Sequence, residues 1–162
     1  MARIVRRAAP LAAGAALLLT LVPVRALTVR EAGSGQLLYA ARVQAGEAVS
    51  LEYMHSVDRV PVTGRFRVAA DGALTLEETV APAFGAGLPR LGPGEPYRLT
   101  GGLLRSPESV RLTELPLLVH PVARMQLSLR GREVPLAALP GAPARVRVRV
   151  ERLPALRLLL AS

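Results

Sequence analysis

Apolar and polar residues alternate with a period of two through much of the chain. Val49, Leu51 and Tyr53 fall on one side of the run Ala48-Val49-Ser50-Leu51-Glu52-Tyr53. Arg65-Phe66-Arg67-Val68, Ala73-Leu74-Thr75-Leu76-Glu77 and Arg145-Val146-Arg147-Val148-Arg149-Val150-Glu151 repeat the pattern. Successive side chains of an extended chain point to opposite faces, so each run predicts a half-buried strand. Further strands are expected over residues 27–31, 36–43, 110–115, 117–129 with an interruption at Pro121, and 133–139. Asp71-Gly72 predicts a tight hairpin turn and Arg130-Gly131 a second, because glycine accepts positive φ without steric cost. No helical period stands out after residue 27. Short strands separated by Gly and Pro predict an all-β domain, either an antiparallel β-sandwich or a partly open barrel. The length of 162 residues fits one such domain, with no internal repeat.

The first 26 residues follow a different rule. Arg3, Arg6 and Arg7 precede an apolar run over residues 8–22, Pro23 follows, and Val24-Arg25-Ala26 places small residues where a signal peptidase reads. This order predicts a signal peptide over residues 1–26, cleaved after Ala26, ahead of a single domain over residues 27–162. The competing reading is an uncleaved membrane anchor: the run is shorter than the ~20 residues of a comfortable span, but tilt or bilayer thinning accommodates short segments. Either way the domain is exported, to the periplasm or to the periplasmic face of the inner membrane.

Composition narrows the chemistry. The chain has no cysteine, which excludes disulfides, thiolate metal sites, a cysteine nucleophile and a lipidated cysteine. Aromatic residues make up only 3%, so the core must be built from Leu, Val and Ala. The formal net charge is +9 and every basic residue is Arg, a bias that a G+C-rich genome produces without functional cause. A positive surface attracts anions. With no aromatic stacking platform and no recognition-helix pattern, however, nucleic acid is not an expected partner.

Candidate chemistry gathers at two places. Continuing the alternation past Tyr53 puts His55 at an inward-facing strand end, with Ser56, Asp58 and Arg59 close behind. It reads either as a structural histidine or as the rim of a polar pocket. A Ser-His-Asp hydrolase built from His55, Ser56 and Asp58 fails on geometry, since adjacent strand residues face opposite ways, and no G-x-S-x-G elbow is present. Counting by twos from Leu74 and Leu76 aims Glu78 inward, where Arg59 or protonated His55 would serve as its partner, unless a bulge exchanges it with Glu77 or the strand ends there. The two histidines, His55 and His120, belong to no metal-ligand grouping, so no metal and no cofactor are expected. Gly85-Ala86-Gly87 opens no helix and so forms no phosphate loop. Residues 81–97, with four Pro and four Gly, read either as a functional loop or as a long surface connection. Arg145, Arg147 and Arg149 read as a solvated strand face in preference to an anion-binding stripe.

Tyr53-Met54-His55-Ser56-Val57-Asp58-Arg59-Val60-Pro61-Val62 resembles the Y-x-H-S-V-[ED]-[KR]-x-P-V signature of bacterial domain-of-unknown-function family 1850, and Ala83-Phe84-Gly85-Ala86-Gly87-Leu88-Pro89 resembles its F-G-A-G-L-P loop. The chain departs from that pattern at Thr63-Gly64, where the family commonly carries an acidic residue, so the role of that carboxylate is here either lost or moved, with Glu78 as the candidate to take it. Genes of the family often neighbour those of TRAP-type transporters of the TAXI kind. The resemblance therefore implies a non-enzymatic accessory or ligand-binding protein in solute uptake, partnered by a transporter component or its solute. The expected binding residues are His55, Ser56, Asp58, Arg59, Glu78, Phe84, Gly85, Gly87 and Pro89, with no catalytic residue assigned. The alternatives are a periplasmic hydrolase using His55 with a carboxylate, and an envelope structural module without a small-molecule site.

Overall fold

The computed structural model describes residues 22–82, 96–140 and 144–160. The expected apolar signal or anchor helix, and the candidate residues Phe84, Gly85, Gly87 and Pro89, lie outside them. The strands are β1 (Pro23–Glu31), β2 (Leu37–Arg42), β3 (Ala48–Met54), β4 (Pro61–Val68), β5 (Leu74–Ala81), β6 (Arg98–Thr100), β7 (Leu103–Leu112), β8 (Leu115–Val119), β9 (Gln126–Leu129), β10 (Arg132–Pro135) and β11 (Ala144–Pro154). They form a four-stranded sheet in the order β2-β1-β11-β8 and a seven-stranded sheet in the order β10-β9-β3-β4-β5-β7-β6. Every pairing is antiparallel. The all-β expectation therefore holds as two antiparallel sheets, neither of which closes into a barrel.

The alternation explains which face is buried. Leu27, Val29, Val146 and Val148 of the smaller sheet meet Val49, Leu51, Phe66, Val68, Leu74 and Leu127 of the larger one in a single cluster. The Asp71-Gly72 turn forms as expected: Gly72 has φ +93°, and the Asp71 carboxylate accepts the Ala73 N–H at 3.1 Å. Arg130 and Gly131 both adopt positive φ and join β9 to β10 in a two-residue turn of the primed type.

Three departures from the sequence pattern have local causes. Strands β6 and most of β7 carry no clean alternation, and β7 contains Pro107. Strand β6 pairs only with residues 103–105, so β7 is open on that side at Pro107, which stands opposite Glu78 at the irregularity of the β5 pairing, a place that tolerates proline. A short helix, α1 (Ala155–Leu160), follows Pro154, and Leu158 covers Ala26, Ala40 and Leu153 on the outer face of the smaller sheet. Third, β1 begins at Pro23, so the folded region reaches four residues upstream of the boundary after Ala26, and Ala26 itself is wholly buried.

Ion pairs tile the outer faces. Glu47 pairs with Arg130, Glu77 with Arg67, and Glu151 with Arg30 at 2.7 Å. In the arginine row of β11, Arg149 lies 2.7 Å from Glu151 and Arg147 lies 4.0 Å from Glu114, as a solvated, paired face requires. Glu31 is held at about 2 by the Ser34 hydroxyl and by the backbone N–H groups of Ser34 and Gly33. The Arg130 guanidinium lowers Glu47 and the Arg67 guanidinium lowers Glu77. Burial opposes ionisation at Glu151, but Arg30 and Arg149 outweigh it and the carboxyl is lowered as well.

Two outcomes follow. Leu127→Ala, in the centre of the core, is expected to cost about 2–5 kcal/mol in urea unfolding, whereas Val110→Ala on an exposed strand position stays within about 0.5 kcal/mol. The carboxylates with lowered values stabilise the fold fully above their ordinary value of 4.5, and that contribution is lost as the pH falls toward their folded values. The urea midpoint should therefore fall on acidification below about pH 4.5, and Glu47→Gln should flatten that decline while lowering the midpoint at pH 7.

Candidate functional site

Strand β3 ends at Met54, and residues 55–60 turn the chain into β4. The turn closes on its own backbone: the His55 N–H donates to the Val60 carbonyl at 2.8 Å and the Arg59 N–H to the His55 carbonyl at 2.9 Å. The His55 side chain is only 13% exposed, and its Nδ1 lies 3.3 Å from the Asp58 backbone nitrogen and 3.1 Å from Asp58 Oδ2. Nδ1 is thus placed either to accept the Asp58 N–H, which leaves the ring hydrogen on Nε2, or to donate its own hydrogen to the Asp58 carboxylate.

A second turn packs beside the first. After β8, His120 caps a 3-10 turn over Pro121–Ala123: its backbone is extended and its Nδ1 accepts the Val122 N–H at 3.3 Å. Accepting at Nδ1 leaves the hydrogen of this neutral ring on Nε2. Arg124 ends the turn in the left-handed conformation, its N–H donating to the Pro121 carbonyl at 3.2 Å. The two turns line one cleft of about 640 Å³ with Met54, His55, Ser56 and Arg59 from one side and His120, Val122, Ala123 and Arg124 from the other.

The turns share a sequence. His55-Ser56-Val57-Asp58-Arg59 and His120-Pro121-Val122-Ala123-Arg124 are both H-x-V-x-R. In both, the valine stands out into solvent, 69% exposed at Val57 and 72% at Val122. In both, the arginine has positive φ, +53° at Arg59 and +44° at Arg124. An L-residue in that region costs roughly 1–2 kcal/mol. Neither guanidinium has an acidic partner among the described residues, unlike Arg30, Arg65, Arg67, Arg105, Arg130 and Arg149.

The expected residues therefore separate. His55, Ser56, Asp58 and Arg59 come together as a group, but no hydrogen bond joins the Ser56 hydroxyl to either imidazole among the described residues. Glu78 goes elsewhere. A bulge after Leu76 sets Glu77 and Glu78 on the same outer face, and Glu78 Oε2 accepts from Arg65 at 3.0 Å and Arg105 at 3.2 Å. It lines a different concavity, of about 770 Å³, whose acids and arginines are already paired. The expected convergence of His55, Arg59 and Glu78 does not form. His120 and Arg124 are the residues that sequence reasoning missed. The repeated H-x-V-x-R was the available signal, hidden because His120 was tested only against metal-ligand spacings.

Tyr53 points away from the cleft, into an apolar cavity of about 280 Å³ between the sheets with Leu51, Phe66, Leu76 and Met125, and burial raises its phenol. Among the described residues, no group of three or more His, Asp or Glu could hold a metal ion, and no helix is long and apolar enough to cross a membrane.

No curated protein and no solved structure matches the chain. A family model does, over residues 49–136, a stretch from β3 to the end of β10 that contains both H-x-V-x-R turns. As that match covers more than half of the chain, the protein belongs to DUF1850, a domain of unknown function.

Proposed function

We propose that the protein is an exported, non-enzymatic ligand-binding accessory of TRAP-type (TAXI) solute uptake, and that the cleft between its two H-x-V-x-R turns takes a small dicarboxylate. One observation carries the reading: two arginines with no acidic partner among the described residues are held in a left-handed backbone conformation at one cleft, each beside an imidazole. A strained conformation persists where the surroundings enforce it, and such positions cluster at ligand sites. Arginine offers a planar fork of donors that fits a carboxylate. With two equivalent turns, the cleft presents two such donor sets, which matches a ligand with an anionic group at each end. The volume is within the range of small-molecule sites.

The His55–Asp58 contact at 3.1 Å also favours a second reading. A carboxylate on Nδ1 orients an imidazole as a base, which is half of a hydrolase constellation. The other half, a nucleophile in hydrogen-bond reach of the ring, is not supplied by Ser56.

Glycine substitution separates site from scaffold. Arg59→Gly and Arg124→Gly relieve the left-handed strain, offset by the greater freedom of glycine in the unfolded chain. Each is expected to leave stability unchanged or raise it by up to about 1 kcal/mol, while calorimetric affinity for a four-carbon dicarboxylate falls at least about tenfold, the equivalent of one charge-assisted contact. The four-carbon monocarboxylate should bind wild type at least about tenfold more weakly than the dicarboxylate, for the same reason. Equal binding by wild type and both variants would remove the cleft from consideration.

A further inference from the structure

The start of β1 bears on how the domain meets the membrane. Residues 23–26 pair with Pro154, Leu153, Arg152 and Glu151 of β11. The Arg25 guanidinium donates to the Ala70 carbonyl at 2.7 Å, and the Arg25 carbonyl accepts the Val43 N–H at 3.0 Å. Ala26 is wholly buried with Ala40 and Leu153. A cut after Ala26 would remove all of this and make Leu27, whose side chain is wholly buried in the core, the first residue of the chain. Since signal peptidase acts before folding, the strand does not shield the bond; the damage falls on the product.

The apolar run of residues 8–22 therefore passes into β1 with no linker between them. As a helix, fifteen residues reach only ~22 Å, short of the ~30 Å hydrocarbon core. A short anchor draws flanking residues into the interface. What flanks it is suited to that position. The Val22 carbonyl accepts the Ala155 N–H at 3.2 Å, so exposed Val22 stands at the start of α1, which carries exposed Leu156 and Arg157. Apolar side chains with arginines at their margin fit an interface containing anionic lipid.

The H-x-V-x-R cleft lies at the other end. Strand β11 pairs with β1 at Pro154 and Pro23, and with β8 at Ala144 and Val119, the residue before His120. Eleven residues of strand at ~3.3 Å each separate those ends by roughly 35 Å.

We propose that the N-terminal segment is retained as an anchor, and that the Val22–Leu156 end of the sandwich rests on the anionic bilayer surface, with the cleft directed away from it. This rests on the export reading only for the side of the membrane. The chain has no cysteine, so single cysteines report cleanly. Full-length Leu156→Cys and Val57→Cys, spin-labelled in vesicles containing anionic lipid, should differ: the label at 156 is reached by a lipid-soluble relaxant and the label at 57 only by an aqueous one. Intact mass from cell membranes should show the uncut chain. Purified residues 27–162 should unfold at a urea midpoint lower by roughly 1 M or more than residues 23–162, or without cooperativity. Equal aqueous access at both labels, a cleaved product starting at Leu27, or equal stability of the two truncations would overturn the proposal. In intact cells, an impermeant thiol reagent on Val57→Cys tests export by itself: failure there would move the domain to the other face while the lipid contact at position 156 still decided the docking.

Discussion

The antiparallel pairing of β1 with β11 runs the whole nine-residue length of β1, from Pro23 opposite Pro154 to Glu31 opposite Val146. It joins the two ends of the described chain at the centre of the smaller sheet and presents Leu27, Val29, Val146 and Val148 to the larger one. With few aromatic residues, the core rests on many small dispersion contacts, each about 0.1–0.2 kcal/mol, and these require the two sheets to sit in close register. The cleft depends on the same register. Its His55 turn belongs to the larger sheet, whereas its His120 turn links β8 of the smaller sheet to β9 of the larger. Because β11 is the strand that β8 pairs with among the described residues, a slip of β11 against β1 would carry β8 with it and move one turn past the other.

Where one face of a strand is buried and the other wet, the sequence was easy to read. Strands β3, the second half of β4, the first half of β5 and β11 follow their alternation, and both glycine turns form where expected. The pattern fails where that premise fails. Strands β6 and β7 lie at the edge of the larger sheet, where Leu99, Leu103 and Val110 remain exposed, so no burial imposes a period. The bulge after Leu76 reversed the parity on which the reading of Glu78 depended, and no residue in that stretch announces it. The candidate site was half legible. Residues 55–59 stood out through their chemistry, but their partners lie 65 residues on, and only the pairing of β8 with β11 and of β3 with β9 brings them together. Repetition of a five-residue pattern is a weak signal until the fold makes the two copies neighbours.

The distribution of arginine separates scaffold from site better than its abundance does. On the outer faces, Arg30, Arg65, Arg67, Arg105, Arg130 and Arg149 each meet a carboxylate. Such pairs are worth little individually when exposed, but they neutralise the strands across which they lie. Arg130 is informative because it too has positive φ, yet it binds Glu47 and the Arg42 carbonyl, so its strain is balanced by contacts within the domain. Arg59 and Arg124 have the same backbone conformation without that balance. A glycine at either position would be the lower-energy choice for the folded chain alone. Among the described residues no carboxylate offsets that conformation, and both side chains stand at one cleft with His55 and His120, the arrangement on which the proposed site rests.

On the proposed docking, a bilayer headgroup lies an eleven-residue strand away from the cleft, and the ligand that such an arrangement suits is a free solute or a group carried by another protein. The exposed Val57 and Val122 stand beside the cleft, one from each turn. An apolar pair flanking a cationic cleft suits a protein partner more than a freely diffusing anion, because water-exposed valines gain only by being covered. A solute bound between the arginines and a partner seated on the valines would occupy the same end of the sandwich, so that binding of one is sensed directly by the other.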